Sequence, residues 1–217
     1  AGWNISNTGT AEFDNCRIRG ELSSAIFKYS ELQATAGTFG VFKSASTLSA
    51  DCTTVEPATT FELKAKNSDA GGALFAAGDI LRIRSWQGTA IRDNWMTVNS
   101  VANNTTYSTY TCVKTAVGSG GGTAATFTAG TAVIDYGPSG VGFITLSTDG
   151  TVGASPNLTM ATHAGAPWTT YTSMLRLGNL NGSYGVVVDT YGLGIGDPTL
   201  AGNYLTYTAA AGLTVKG

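Results

Sequence analysis

Within its first fifty residues the chain states one short phrase three times. Ala11-Glu12-Phe13, Ala25-Ile26-Phe27 and Gly37-Thr38-Phe39 each set a small residue two places before a phenylalanine, with polar residues and an apolar step following. The copies lie 12 to 14 residues apart. A unit this short cannot bury its own apolar face, so copies must stack on one another or on other chains. An ordinary β-meander would produce a similar rhythm. The stacked reading makes Phe13, Ile18, Leu22, Phe27, Phe39 and Phe42 the expected apolar interior of an oligomer.

The rest of the chain agrees with a β architecture. It holds 33 threonines and 29 glycines among 217 residues, and 42% of its residues are hydrophobic. Threonine, valine and tyrosine suit pleated, half-buried surfaces, and this is the reverse of a disordered composition. Ser23 to Gln33 is the best candidate for a helix. Three segments follow: 1–56, the repetitive shaft-like part; 57–136, a small antiparallel barrel or sandwich; and 137–217, a glycine-rich return to the opening rhythm. In the middle segment, Phe61 to Lys66 alternates strictly, as a half-buried strand does. Ile80 to Trp86, Trp95 to Val101, Thr106 to Val117 and Phe127 to Tyr136 supply further strands. Asp149-Gly150 and Asn181-Gly182 mark hairpins in the last segment. The expected fold class is therefore all-β: an elongated repetitive β-structure, a β-prism or interlaced β-helix, trimeric, with a small antiparallel module in the middle.

Charge excludes some functions. Lys and Arg total 12 against 14 Asp and Glu, so the basic excess of a general nucleic-acid binder is missing. No apolar run reaches the roughly 18 residues of a membrane-spanning helix. From Gly137 onward only Asp149, Arg176, Asp189, Asp197 and Lys216 are charged. A soluble monomer normally carries more surface charge than that; sister copies or a Thr/Ser/Asn coat would account for it. The chain has neither an initiator Met nor a signal-peptide pattern and reads as a piece or processed product.

Chemistry is sparse. His163 is the only histidine, and Cys16, Cys52 and Cys112 are widely spaced, so neither a zinc site nor a nucleophile-base pair is expected. No cofactor is expected. Glycoside cleavage needs two carboxylates across a cleft; Asp69, Asp79, Asp93, Asp135, Asp149, Asp189 and Asp197 are available, but Asp79, Asp149 and Asp197 sit beside glycines as turn formers do. Trp86, Trp95, Tyr107, Tyr110, Trp168 and Tyr171 are the aromatics that would stack on sugar rings if exposed, with core packing as the competing role.

The stretch Ala11-Glu12-Phe13-Asp14-Asn15-Cys16-Arg17-Ile18-Arg19-Gly20-Glu21-Leu22 resembles a step common in tail-fibre and tail-tip proteins of tailed bacteriophages. Gly78 to Ile83, Val133 to Gly137, Arg176 to Gly185 and Tyr191 to Asp197 look like such proteins too. The resemblance implies a trimeric, β-rich, virion-exposed segment of the distal tail. Its expected partners are other tail proteins and a host-surface glycan or protein receptor. It carries over no catalytic residue. The alternatives are a polysaccharide depolymerase on a tailspike-like fibre and a bacterial surface adhesin.

Overall fold

The computed structural model describes residues 3–5, 11–13, 32–35, 38–56, 59–68, 71–87, 90–115, 122–148, 155–169, 171–199 and 201–217. Every regular element among them is a strand. The first six are β1 (Trp3–Ile5), β2 (Ala11–Phe13), β3 (Leu32–Thr35), β4 (Thr38–Val41), β5 (Ser44–Thr47) and β6 (Cys52–Thr53). Next come β7 (Thr60–Lys66), β8 (Ile80–Gln87), β9 (Ala90–Asn103), β10 (Tyr107–Lys114), β11 (Thr126–Phe127) and β12 (Ala132–Asp135). The last are β13 (Gly142–Ser147), β14 (Asn157–Thr162), β15 (Thr172–Asn179), β16 (Tyr191–Gly196), β17 (Tyr204–Thr208) and β18 (Gly212–Lys216). Among the described residues every sheet is antiparallel, and the all-β part of the expected fold class holds. The helix candidate at 23–33 falls mostly outside the described residues, and its last two residues, Leu32 and Gln33, lie in strand β3.

Two sheets dominate. The first has six strands in the order β5-β12-β8-β9-β10-β7. Its inner face follows from alternation: Phe61, Leu63 and Ala65 of β7, Leu81 and Ile83 of β8, Met96 and Val98 of β9, and Tyr110 and Cys112 of β10 all point to one core, where Phe75, Phe127 and Val133 join them. A bridge between Leu48 and Ala65, with Ser49 N donating to Lys64 O at 2.9 Å, draws the chain after β5 onto the opposite edge strand. The sheet therefore curls around its core. Burying nine such side chains at about 25 cal/mol per Å² is the main stabilisation of this half.

The second sheet has eight strands in the order β18-β17-β16-β15-β14-β13-β4-β3. Strands β13 to β18 are a meander of successive neighbours, and β4 adds to its edge by pairing Phe39 with Leu146 and Val41 with Ile144. The opening segment thus divides: β3 and β4 complete the C-terminal sheet, and β5 completes the middle one. The chain passes between the sheets at Phe42-Lys43 and again at Tyr136–Val141.

Cys52 and Cys112 are free and buried in the curled core. Burial pushes the Cys52 thiol up to about 11 and, with Cys52 as neighbour, the Cys112 thiol up to about 12. Both stay protonated, and hence non-nucleophilic, at neutral pH. Iodoacetamide at pH 8 will leave both unmodified in the native protein and modify both in guanidinium, as located by peptide mass; native labelling of either would mean that the curled sheet opens readily.

Candidate functional site

The eight-stranded sheet has an unusual distribution of side chains. Reading across its register, one row runs Phe39, Leu146, Leu158, Leu177, Leu193, Tyr207, Leu213. A second row on the same face runs Val41, Ile144, Met160, Leu175, Ile195, Leu205, Val215. Seven strands therefore contribute two apolar residues each, two positions apart. A buried face would be ordinary, yet none of the fourteen is buried. Leu146, Leu177 and Leu213 are 52%, 53% and 62% exposed. Tyr191 and the bulged Met174 extend the patch. At the Phe42 end an open recess of about 400 Å³ is lined by Val41, Phe42, Ile144, Met160 and Met174.

The opposite face carries Gly40, Thr145, Ser147, Asn157, Thr159, Arg176, Gly192, Gly194, Thr206 and Thr208. Part of this small and polar face is covered by the chain itself. The turn after β15 folds back so that Tyr184 lies on Gly194, where a Cβ would come within 2.4 Å of the ring. The Tyr184 hydroxyl donates to Ser173 O at 3.2 Å, and Arg176 Nη1 donates to Ser183 Oγ at 3.0 Å. Tyr184 holds a φ of 55°, a left-handed conformation that costs a non-glycine residue and needs this packing to persist. An antiparallel sheet with one wet face normally turns its polar side outward. Here the polar side is the covered one.

Across seven strands at about 4.8 Å and two rows each about 6.6 Å deep, the apolar face spans roughly 440 Å². That is near the largest patch a monomer usually shows. Two such faces together would bury on the order of 1,000 Å², where specific association begins.

A second constellation joins the sheets. Tyr136 packs against Phe42 at 4.6 Å, Trp95 at 4.7 Å and Phe143 at 5.2 Å between ring centroids. Trp168 lies 5.8 Å from Trp95, and Tyr171 lies 5.7 Å from Phe143. The Arg82 guanidinium covers Trp95 at 4.9 Å, while its Nε donates to Asp93 Oδ1 at 2.9 Å. Burial alone would lower the Arg82 pKa, but the hydrogen bonds and charges of Asp93 and Tyr136 together outweigh that and raise it, so the group stays charged. Buried His163 sits over the second crossing: its Nε2 is 3.0 Å from Tyr136 O, and Gly165 N donates to Nδ1 at 3.2 Å. The neutral Nε2–H tautomer satisfies both contacts. His163 is a structural clamp.

Beneath this cluster lie an amine and two carboxylates. Lys43 Nζ donates to Asp79 Oδ1 and Oδ2 at 2.6 and 2.5 Å and lies 3.5 Å from Asp135 Oδ2. Asp79 is 1% exposed and Asp135 is fully buried. Ala76 N holds Asp79 Oδ2 at 2.7 Å; Ser44 Oγ and Gly137 N hold Asp135 at 2.7 and 2.6 Å. Desolvation pushes Asp135 up to about 6 against the lowering effect of Ser44 and Gly137.

The expected aromatic platform is not assembled. Trp95 and Tyr110 are core residues: Tyr110 packs 5.0 Å from Phe75 and its hydroxyl accepts from Leu74 N, so neither offers a face to a sugar. Trp168 and Tyr171 are half-buried in the junction, and Tyr107 is half-buried under Lys64. Trp86 lies in β8, its side chain outside the described part. Of the expected oligomer core, Phe39 sits on the open face, whereas Phe42 is held within its own chain by Tyr136. Phe13 is in β2 without a described side chain, and Ile18, Leu22 and Phe27 lie outside the described residues. Of the carboxylates, Asp79 and Asp135 come together but are enclosed by protein; Asp69 and Asp149 lie outside the described residues. Asp189 is held by Asn179 and Asn181, and Asp197 caps a turn at Thr199.

Comparison with protein-family models, curated proteins and solved structures finds no match for this chain. Replacing Trp95 with Ala removes the ring shared by Arg82, Tyr136 and Trp168. The expected cost is about 3–5 kcal/mol, read as a lower urea midpoint at unchanged m-value.

Proposed function

We propose that this chain is a structural segment of a bacteriophage tail fibre or tail tip, assembled as a homotrimer and contributing to host-surface attachment. The observation that carries this reading is the double apolar row of the eight-stranded sheet, a face that finds an interior only against matching surfaces. Three copies turned inward would form a prism with these rows as its core. The few charges after Gly137 fit the same arrangement, since little of that half would then face water. Lipid is a poorer occupant. Strands of 4 to 8 residues carry the rows, against about 9–11 in a membrane-crossing strand. The curled six-stranded module, joined through the aromatic cluster, would decorate the shaft and present loops outward to other tail proteins and to a glycan or protein receptor.

Light scattering on the purified chain is expected to give about three times 22.2 kDa. Leu177→Lys places a charge at the middle of one row. It is expected to yield monomer with an unchanged far-ultraviolet circular dichroism spectrum. A wild-type monomer at micromolar concentration would defeat the reading.

A further inference from the structure

We propose that Lys43 and Asp79 are a self-modification site, at which the lysine amine condenses with the aspartate carboxyl to form an intramolecular amide, with Asp135 as proton carrier. The inference stands apart from the fibre reading.

Three features of the site point to bond formation rather than a simple ion pair. The first is distance. With both Asp79 oxygens within 2.6 Å of Lys43 Nζ, its carboxyl carbon lies no more than about 3 Å away, inside the near-attack range. The second is fixation. Asp79 is pinned by Ala76 N at the head of β8, and Lys43 is carried by the short crossing between β4 and β5. Neither backbone can swing away without breaking a strand. The third is the second carboxyl. A surface salt bridge needs one acid for one base; here Asp135 stands 3.5 Å from the same nitrogen, completely buried, with Ser44 and Gly137 holding its two oxygens.

The groups facing the nitrogen are Asp79 and Asp135, and the resting state is the ion pair: burial would lower the Lys43 pKa, but the hydrogen bond to Asp79 and the charge of Asp135 raise it. A proton must leave first. Asp135, pushed up to about 6, is a suitable recipient because its two forms lie close in energy near neutral pH. It takes one proton from the Lys43 ammonium. Asp135 passes that proton on to one Asp79 oxygen, which turns the carboxylate into an electrophilic carboxyl group. The freed lone pair on Nζ attacks the Asp79 carboxyl carbon, forming the C–N bond and moving the C=O pair onto the other oxygen, and a second proton passes from the nitrogen to the hydroxyl. That oxygen leaves as water as the C–O bond breaks and the remaining C=O re-forms. Ammonium plus carboxylate has become amide plus water, Asp135 is regenerated, and no oxidant or external reagent is consumed. Amide formation is unfavourable for free reactants in water. Holding the pair in contact gives the attack an effective concentration of about 10⁵–10⁸ M, because the freedom lost in bringing amine and carboxyl together has already been lost in folding.

The product would close a loop of 36 residues and fasten the crossing at Lys43 to the head of β8 covalently. Intact mass of the full chain decides the matter without any variant. The expected mass is lower than the sequence mass by one water, and trypsin should release residues 29–64 joined to residues 67–82, because Lys43 no longer offers a cleavage site. Full sequence mass, with Lys43 cleaved and residues 29–43, 44–64 and 67–82 released separately, overturns the proposal. Lys43→Arg keeps the positive charge and is expected to restore the full mass. Asp135→Asn keeps a polar side chain of the same size and is expected to slow the mass loss at least tenfold; mass loss at the wild-type rate overturns its role as proton carrier. Neither result depends on association state, so failure here leaves the sheet-face reading intact, and a monomeric chain can still carry the amide.

Discussion

Water is the constraint on which this structure turns: fourteen apolar side chains in two continuous rows meet it on one face of an eight-stranded sheet. Apolar surface of that extent is costly at about 25 cal/mol per Å². A chain that closed this face by itself would fold the sheet into a barrel or lay its other half across it. It does neither. The curled six-stranded sheet already has a complete core of its own, with Leu63, Leu81, Ile83 and Met96 wholly inaccessible. Its outer face, through Ile80, Trp95 and Ile134, meets the larger sheet at Phe143 and Ala161, near the Phe42 end. The described parts of the two halves touch at a junction and leave the broad face open.

That junction has the character of a coupling. Both passages of the chain between the sheets run through it, and each is held twice. Phe42 is packed by Tyr136 while its neighbour Lys43 is paired with Asp79 and Asp135. The passage at Tyr136–Val141 is held by Gly137 N on Asp135 and by Gly140 N donating to His163 O at 2.7 Å. Buried ion pairs are weak evidence for stability, because desolvation offsets their attraction. They are directional, however, and removing one partner leaves a buried charge. A load applied across the sheets would meet an aromatic cluster and a three-charge cluster in parallel.

Much of this was legible in the residues, and the parts that were not have identifiable causes. Strict alternation announced β7 from Phe61 to Lys66, and the same rule gave the inner face of β8 through Leu81 and Ile83. The rows of the large sheet were also written there, as apolar pairs two apart at Ile144 and Leu146, Leu158 and Met160, Leu175 and Leu177, Leu193 and Ile195. Seven such pairs are a signal for one continuous face. What alternation alone does not tell is which face the rest of the molecule covers, and so Phe39 and Phe42, close in sequence, ended on opposite sides of that question. Tyr110 is buried because it shares parity with Cys112 in β10, a register set by β7 and β9 rather than by its own neighbours. Asp79 reads locally as a turn residue after Gly78. Its pairing with Lys43, 36 residues away, is a property of the topology.

Residue volume decides which side of the large sheet is closed from within. Gly192 and Gly194 lie on the polar face; at Gly192 a Cβ would lie 2.2 Å from Tyr207 O, and at Gly194 it would strike Tyr184. Such bare backbone lets the turn after β15 settle against the strands, with its polar groups satisfied by Arg176 and Ser173. The other face has no glycine along its two rows, only branched, sulfur-bearing and aromatic side chains that stand well clear of the backbone. The thin side is sealed by a turn of this chain, and on the thick side the described residues leave the two rows open.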